Sequence, residues 1–504
     1  MASVFRHIPL GERIPASAHA VSCSLPTMRD VCGYEERDPE VLRHVTSGYP
    51  RFVVHPFARE LGSHLATGDP ALAGRALWLT SSEGMAARLI EYLGPAADAR
   101  PYDGHGVAGV SHPESAELSG RARTWLQHLG GFVSSRQAED HLIRLGLRIA
   151  AGREALFDGD GAAESARQLT RVLPGTTGAD LFIANNGMNA IHAAFRAVSD
   201  IQAARGRTVW LQLGWLYLDT IAILQTFTAA EGDYIYVRDV FDIDGLEHVF
   251  AQHGSRLAGV VAEVPTNPLV QTTDLPALAA MCRRHGARLL VDPSMSSVYS
   301  VDVLAHADVV VSSLTKYTGH EGDLTAGLAA VNPRGPDGAA LRAGLATWIE
   351  PLYPRDAARL AREIADTPAV LASIHASTPR VVAFLEQHPA VRDVFWALHP
   401  ASRAHYLALA RTPGAVSGVV TFTLREPGSL ARVYDRLRLP KGPSFGMQTT
   451  LVCPFMYLAH YDLVTAAAGR ARLVADGLDP NLIRLCVGTE PVDDIIAALD
   501  EALS

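Results

Sequence analysis

Val309-Val310-Val311-Ser312-Ser313-Leu314-Thr315-Lys316-Tyr317 is the stretch on which the reading of the chain turns. It opens as a β-branched apolar run, the pattern of a buried strand. It closes on hydroxyl residues and a lysine. A buried ammonium is costly, so a lysine at a strand end tends to lose its proton or to react. An unprotonated lysine amine attacks carbonyls, and Schiff-base chemistry is its commonest use. Ser313 and Thr315 flank it with oxygens suited to a phosphate. An aldehyde-reactive lysine with phosphate-binding hydroxyls points to pyridoxal phosphate (PLP). The competing reading is a strand end with a snorkelling surface lysine. Lys316 is the first lysine of the chain, so it is not part of a solvated cluster.

Upstream, Ala287-Arg288-Leu289-Leu290-Val291-Asp292-Pro293-Ser294 is a second apolar strand that ends in a carboxylate. PLP needs such a group beside its ring nitrogen, because the protonated pyridinium is the electron sink. Two neighbouring strand ends bring Asp292 and Lys316 into one crevice at the carboxyl edge of a sheet. Alone, Asp292 reads equally as a turn former.

The chain of 504 residues is long enough for two or three domains and a large core. Hydrophobic residues make up 48% and charged residues 19%, the balance of a globular enzyme. A net charge of -9 leaves no basic footprint for nucleic acid or an anionic membrane. No apolar run approaches the roughly 18 residues of a spanning helix. The N-terminus lacks a signal-peptide core. Five scattered cysteines, without a C-x-x-C pair, read as reduced thiols of a cytoplasmic protein that binds no metal.

Residues 1–58 read as an N-terminal arm, in which Gly48-Tyr49-Pro50-Arg51-Phe52 offers a guanidinium for a phosphate. From about 60 to 155 the chain reads as a helical insertion, with a loop over Pro95–Glu114. Between Asp180 and Pro333 strand and helix patterns alternate, which predicts an α/β domain with a mostly parallel sheet over 59–370. Leu181-Phe182-Ile183 leads through Asn186-Gly187-Met188 into a helix, an arrangement whose free N–H groups suit an anion. Tyr217 follows a strand and can stack on a ring and offer a catalytic hydroxyl for proton transfer; a packed core tyrosine is the alternative. Asn267, past the strand Leu257–Ala262, can bond a ring oxygen. Residues 371–504 predict a smaller α+β domain. There Arg484 lies inside an apolar strand, where it needs an anionic partner: a substrate carboxylate or a structural Asp or Glu.

These pieces resemble the cystathionine γ-synthase branch of the PLP enzymes of cysteine and methionine metabolism, in the longer form typical of fungi. His19–Thr27, Gly48–Phe52, Tyr217-Leu218-Asp219-Thr220, Ser313–Lys316 and Lys441-Gly442-Pro443-Ser444-Phe445-Gly446 carry the likeness. It implies a fold-type I, aspartate aminotransferase-like architecture. It implies Lys316 as Schiff-base lysine, Asp292 as pyridinium partner and Tyr217 as ring-stacking tyrosine. Gly187, Met188, Ser313 and Thr315 become the phosphate cup, which Tyr49 and Arg51 complete from a neighbouring subunit of a homodimer or tetramer. Arg484 becomes the clamp for the substrate α-carboxylate, with Ser444, Asn267 and Tyr49 nearby.

The implied reaction is γ-replacement on an activated homoserine through a vinylglycine ketimine. The chain departs from the family pattern at Asn186, Pro293-Ser294, Thr449 and Cys486. Asp219 stands where methionine γ-lyases typically carry cysteine. An intact catalytic set with an altered substrate loop leaves a second reading: γ-substitution with S-adenosylmethionine or another donor and a nitrogen or carbon nucleophile. Aminotransfer is a further possibility. The reading from outside enzymology is a PLP-fold scaffold subunit, against which Lys316 and Asp292 together argue.

Overall fold

The computed structural model describes residues 4–50 and 52–504. Its centre is a seven-stranded sheet built from β4 (Leu181–Ala184), β5 (Val209–Leu213), β6 (Tyr234–Val237), β7 (Leu257–Glu263), β8 (Arg288–Asp292), β9 (Val309–Ser313) and β10 (Gly327–Val331). The spatial order is β4-β10-β9-β8-β7-β5-β6. All neighbours from β9 to β6 pair in parallel, while β10 runs antiparallel to both β9 and β4. The fold is thus the mostly parallel α/β architecture that was expected.

The alternation of side chains assigns each strand two cores. Leu289, Val291 and Val310 point into a cluster shared with the helices Ile243–His253 and Leu275–His285. Leu290, Val309 and Val311 point into the other, under the helices Gly187–Ala203 and Gly338–Trp348. Burial on both faces is why these strands are continuous apolar runs. Because β7, β8 and β9 are parallel and adjacent, Glu263, Asp292 and Ser313 end at the same edge.

The C-terminal domain is an antiparallel sheet ordered β11-β12-β14-β13, from β11 (Val391–Phe395), β12 (Val419–Leu424), β13 (Leu451–Cys453) and β14 (Ile483–Cys486). The helices Thr367–Gln387 and Val492–Leu503 cover one face. Cys23, Leu25, Met28 and Val31 of the arm enter that same core.

The segment before the large sheet differs from its reading as a helical insertion. Between its helices it holds an antiparallel sheet of β1 (Arg75–Leu79), β2 (Arg100–Tyr102) and β3 (Gly109–Pro113). Two of these strands lie inside the stretch read as a loop. They are short and carry Gly, Pro and His, so their composition is that of turns. Gly109 is required there: a Cβ would stand 2.7 Å from the Trp78 carbonyl oxygen. Buried ion pairs tie the insertion to the main domain, where Arg136 meets Asp356 (3.1 Å) and Asp323 (3.3 Å). Among the described residues no helix is long and apolar enough to cross a membrane.

Candidate active site

Lys316 lies three residues beyond β9, in a backbone that leaves it little freedom. Its N–H donates to the Ser313 carbonyl (3.1 Å), and the Gly319 N–H donates to the Leu314 carbonyl (2.7 Å). Tyr317 adopts a left-handed φ of 58°, and its N–H donates to the Gly446 carbonyl (2.6 Å). Strain of this kind costs on the order of 1–3 kcal/mol and persists where the surroundings impose it. The Tyr317 ring is fully buried, its hydroxyl donating to the Met295 carbonyl (3.0 Å).

The Lys316 ammonium sits between two hydroxyls. It makes a very short contact with the Tyr49 oxygen and reaches Ser444 Oγ at 3.1 Å. Tyr49 and Ser444 hydroxyls are themselves hydrogen-bonded at 2.6 Å. The Tyr49 and Phe445 rings lie 4.4 and 4.6 Å from Nζ. Within this single chain Tyr49 meets the lysine of the same polypeptide, and the arm is bound to the C-terminal domain. The Met28 N–H donates to Asp435 (2.8 Å), and the Tyr434 hydroxyl donates to the Leu25 carbonyl (2.8 Å). Arg51 falls outside the described residues.

Asp292 ends β8 with its carboxylate toward the same cavity and accepts the Ser294 N–H (2.8 Å). Burial pushes its pKa up to about 6. Beside it, in register, is Glu263 at the end of β7. Sequence reasoning passed over this residue. Glu263 accepts the Tyr217 N–H (2.6 Å) on one oxygen and the Asn267 N–H (3.1 Å) on the other. Burial and the charge of Asp292 raise its pKa well above the carboxylate range. The available signal was position: Glu263 closes a buried strand one place over from Asp292.

Opposite the carboxyls, the helix Gly187–Ala203 aims its N-terminus at the cavity, with Gly187, Met188 and Ser313 in the lining. A Cβ on Gly187 would come within 2.9 Å of the Ser313 Cβ, so only glycine keeps this cradle open. Thr315 also borders the cavity; its hydroxyl donates to the Ala326 carbonyl (3.3 Å) and accepts the Ala326 N–H (3.0 Å). Asn186 has a structural duty: it caps the helix through the Asn189 N–H (2.9 Å) and donates to the Gly130 carbonyl (2.8 Å) of the insertion.

Arg484 is buried in β14, with no ion pair to an Asp or Glu among the described residues. It donates to the Pro443 carbonyl (2.6 Å) and to Asn267 Oδ1 (3.2 Å), between the rings of Phe445 and Phe455. Asn267 gives the arginine its Oδ1, which leaves the amide NH2 for the ring oxygen that the sequence suggested. Cys486 lies under the lysine loop, where its sulfur accepts the Gly446 N–H (3.1 Å). Lys316, Tyr49, Asp292, Glu263, Gly187, Arg484 and Tyr217 border one cavity of about 780 Å³.

A family model described as Cys/Met metabolism PLP-dependent enzyme matches residues 170–504. The chain belongs to this family. The L-2-amino-4-chloropent-4-enoate dechlorinase/desaturase of Streptantibioticus cattleyicolor is 38% identical, with 97% of each chain covered. The cystathionine γ-synthase of Neurospora crassa is 27% identical, with 98% of each chain covered. The alanine racemase ungC of Aspergillus violaceofuscus is 29% identical over 98% of this chain and 96% of its own. Among solved structures, a cystathionine γ-lyase from Lactobacillus plantarum has a TM-score of 0.56 at 21% identity, covering 68% of this chain and 85% of its own. The architecture is therefore fold-type I, and the family's cofactor is pyridoxal 5'-phosphate.

The residues present fit that cofactor. The chain contains only two lysines, and one of them stands in the cavity. A pyridinium would supply the counter-charge that buried Asp292 lacks, and the glycine cradle at the helix N-terminus suits a phosphate.

Proposed function

We propose that this enzyme expels a substituent from Cγ of an L-α-amino acid and places a nucleophile there. The observation that carries the reading is Arg484, a buried guanidinium without a carboxylate partner in the cavity that holds Lys316. Such a fork matches a carboxylate bidentately. The relatives' names support the γ position: one names a γ-synthase, and in the other the chlorine is on C4, which is Cγ.

Lys316, Asp292, Ser313, Tyr217 and the N–H groups of Gly187 and Met188 would hold pyridoxal phosphate. When bound, it supplies an electron sink that acidifies the Cα and then the Cβ protons. Lys316 takes both protons in turn and later returns them. Tyr49 and Ser444, both within hydrogen-bond reach of Nζ, orient the amine and relay its proton. Arg484, fixed by Pro443 and Asn267, aims the Cα–H bond by holding the carboxylate. The γ-substituent leaves with its bonding electrons, and the nucleophile adds to the vacated carbon. Glu263 positions Tyr217 and Asn267 through their N–H groups.

A second reading is elimination without an added nucleophile, favoured by the 38% relative named for dechlorination and desaturation. Self-association and a cytoplasmic location also stand as proposals, the latter supported by five cysteines without a disulfide.

The test is isotope wash-in. The holoenzyme is incubated in heavy water with O-acetylhomoserine, O-succinylhomoserine, homoserine phosphate or S-adenosylmethionine, with and without cysteine. Deuterium at Cα and Cβ together with loss of one γ-group supports the proposal, and cysteine dependence of the product separates replacement from elimination. Label at Cα alone points to racemisation or aminotransfer and refutes it.

A further inference from the structure

Two loops meet beside Lys316 and are bonded to each other. One runs from β9 to β10 and carries Lys316, Tyr317 and His320. The other, 441–450, carries Ser444, whose hydroxyl lies 3.1 Å from the Lys316 amine. The Tyr317 N–H donates to the Gly446 carbonyl (2.6 Å), and the Gln448 N–H donates to the His320 carbonyl (2.8 Å). Between these rungs the backbones lie very close. A Cβ on Gly446, at φ 70°, would stand 2.7 Å from the Tyr317 nitrogen and 3.2 Å from the Lys316 Cα. A third bond joins side chains, with Gln448 Nε2 2.8 Å from His320 Nδ1.

The chemistry of this third bond follows from the other side of the ring. His320 is buried, and its Nε2 lies 3.0 Å from the Glu363 carbonyl, near the end of the helix Pro354–Ile364. A carbonyl only accepts, so Nε2 carries the proton and Nδ1 is left as an acceptor. The Gln448 amide NH2 is the donor it meets. The charged groups around the ring are Glu363, with a carboxyl oxygen 4.0 Å from Nδ1, and Glu321, Asp366 and Arg359. Burial holds the imidazole below its ordinary pKa, which keeps Nδ1 open. Both ends of the bond are anchored. Arg359 pairs with Asp323 of the lysine loop (3.1 Å) and with Glu363 (3.1 Å), and Glu363 accepts the Glu321 N–H (2.8 Å). The Gln448 carbonyl accepts the Thr489 N–H (2.7 Å), just past β14.

We propose that His320 and Gln448 are positioning residues for Lys316: they latch the 441–450 loop to the lysine loop and so keep the Ser444 hydroxyl within hydrogen-bond reach of the amine. This rests on the reading that Lys316 moves substrate protons with Ser444 in contact. Neither residue borders the cavity, so each acts only through the placement of Nζ against Ser444 Oγ. The effect belongs to proton transfer, where a misplacement of about 1 Å can cost on the order of 100-fold. The grip on the substrate carboxylate is affected less, because Arg484 is held in β14 and by Asn267.

The experiment compares wild type with Gln448→Leu, which removes the donor and leaves Lys316, His320 and Ser444 in the chain. Holoenzyme is incubated in heavy water with L-norvaline, an α-amino acid without a leaving group, and deuterium entry at Cα is followed by mass spectrometry. The maximal rate is expected to fall by about 10- to 100-fold, with KM changed by less than about threefold. Gln448→Glu puts an acceptor where the donor stood, which only a protonated imidazole can meet. Its rate relative to wild type is expected to recover as pH falls towards about 6, while that of Gln448→Leu does not. Cofactor-free protein gives a second readout, the acetylation rate of Lys316 measured against the N-terminal amine. It is expected to rise severalfold in Gln448→Leu, because the amine loses a hydroxyl partner. Wild-type rates in both measurements overturn the latch and leave the γ-reading standing. A slower exchange with a matching loss of cofactor retention and unchanged Lys316 acetylation makes Gln448 a support of the fold only, and also overturns it. No Cα label in wild type, with norvaline or the homoserine esters, overturns the reading of Lys316 and the latch with it.

Discussion

Replacing Glu263 by glutamine tests whether this carboxyl organises the site. Its two oxygens accept the Tyr217 N–H at 2.6 Å and the Asn267 N–H at 3.1 Å. Glutamine keeps the shape but turns one acceptor into a donor, so one buried N–H faces an NH2 group. An unsatisfied buried donor costs about 1–3 kcal/mol. Against this, glutamine removes an ionisable group that burial and Asp292 make hard to ionise. The two effects separate with pH. The folded pKa of Glu263 lies above its unfolded value, so its contribution to stability is full below the unfolded pKa and is lost as pH rises through the folded one. Glutamine does not titrate. Over the interval in which the folded chain keeps the proton and the unfolded chain has lost it, wild type therefore loses up to about 1.4 kcal/mol per pH unit relative to Glu263→Gln. The variant is expected to be less stable by about 1–3 kcal/mol near pH 4.5, with the gap shrinking or reversing by pH 8. Urea unfolding at several pH values, followed by tryptophan fluorescence, measures this. A gap that stays constant or widens with pH would refute an inward-facing, proton-retaining Glu263.

The other predictions concern the cofactor and substrate directly. Borohydride reduction of the holoenzyme should fix the cofactor on the Lys316 peptide alone, read by mass spectrometry. The second lysine, Lys441, is buried with its ammonium donating to the Pro26 carbonyl (2.5 Å), and label there would contradict the assignment. Gly187→Ala should weaken cofactor retention at least tenfold without unfolding the protein, because its methyl enters the space beside Ser313; equilibrium dialysis decides this. Arg484→Gln should raise KM for the amino-acid donor by roughly 10- to 100-fold, the loss of a charged hydrogen-bonding pair, while the cofactor spectrum stays that of wild type.

How legible the molecule was in its sequence depended on burial. The strands β5, β7, β8 and β9 are covered on both faces, so their apolar runs stood out, and Asp292 and Lys316 were conspicuous at their ends. By contrast, β6 is a half-exposed Tyr-Ile-Tyr-Val edge, and β10 is Gly-Leu-Ala-Ala-Val, rich in small residues of weak strand preference. Neither carried a clear signal. The β1–β3 sheet was obscured by its Gly and Pro content. Within the site, residue types were readable but partners were not. The sequence could not show that the Thr315 hydroxyl also bonds Ala326, or that Asn267 also gives its Oδ1 to Arg484. Asn186, a departure in sequence, became intelligible only when Gly130 appeared beside it.

That last contact bears on where specificity resides. The helix that presents Gly187 and Met188 is anchored by Asn185, Asn186 and Asn189 to the carbonyls of Gly130 and Leu129, at the end of the helix that carries Arg123. The insertion therefore does two things with one element: its C-terminus steadies the phosphate cradle and its flank faces the far wall of the cavity. Relatives matched over nearly the whole chain bear names for dechlorination, synthesis and racemisation. A shared fold thus does not set the reaction's outcome. Under the proposed γ-chemistry, the arm and insertion residues that border the cavity are the candidates for selecting the group that enters or leaves.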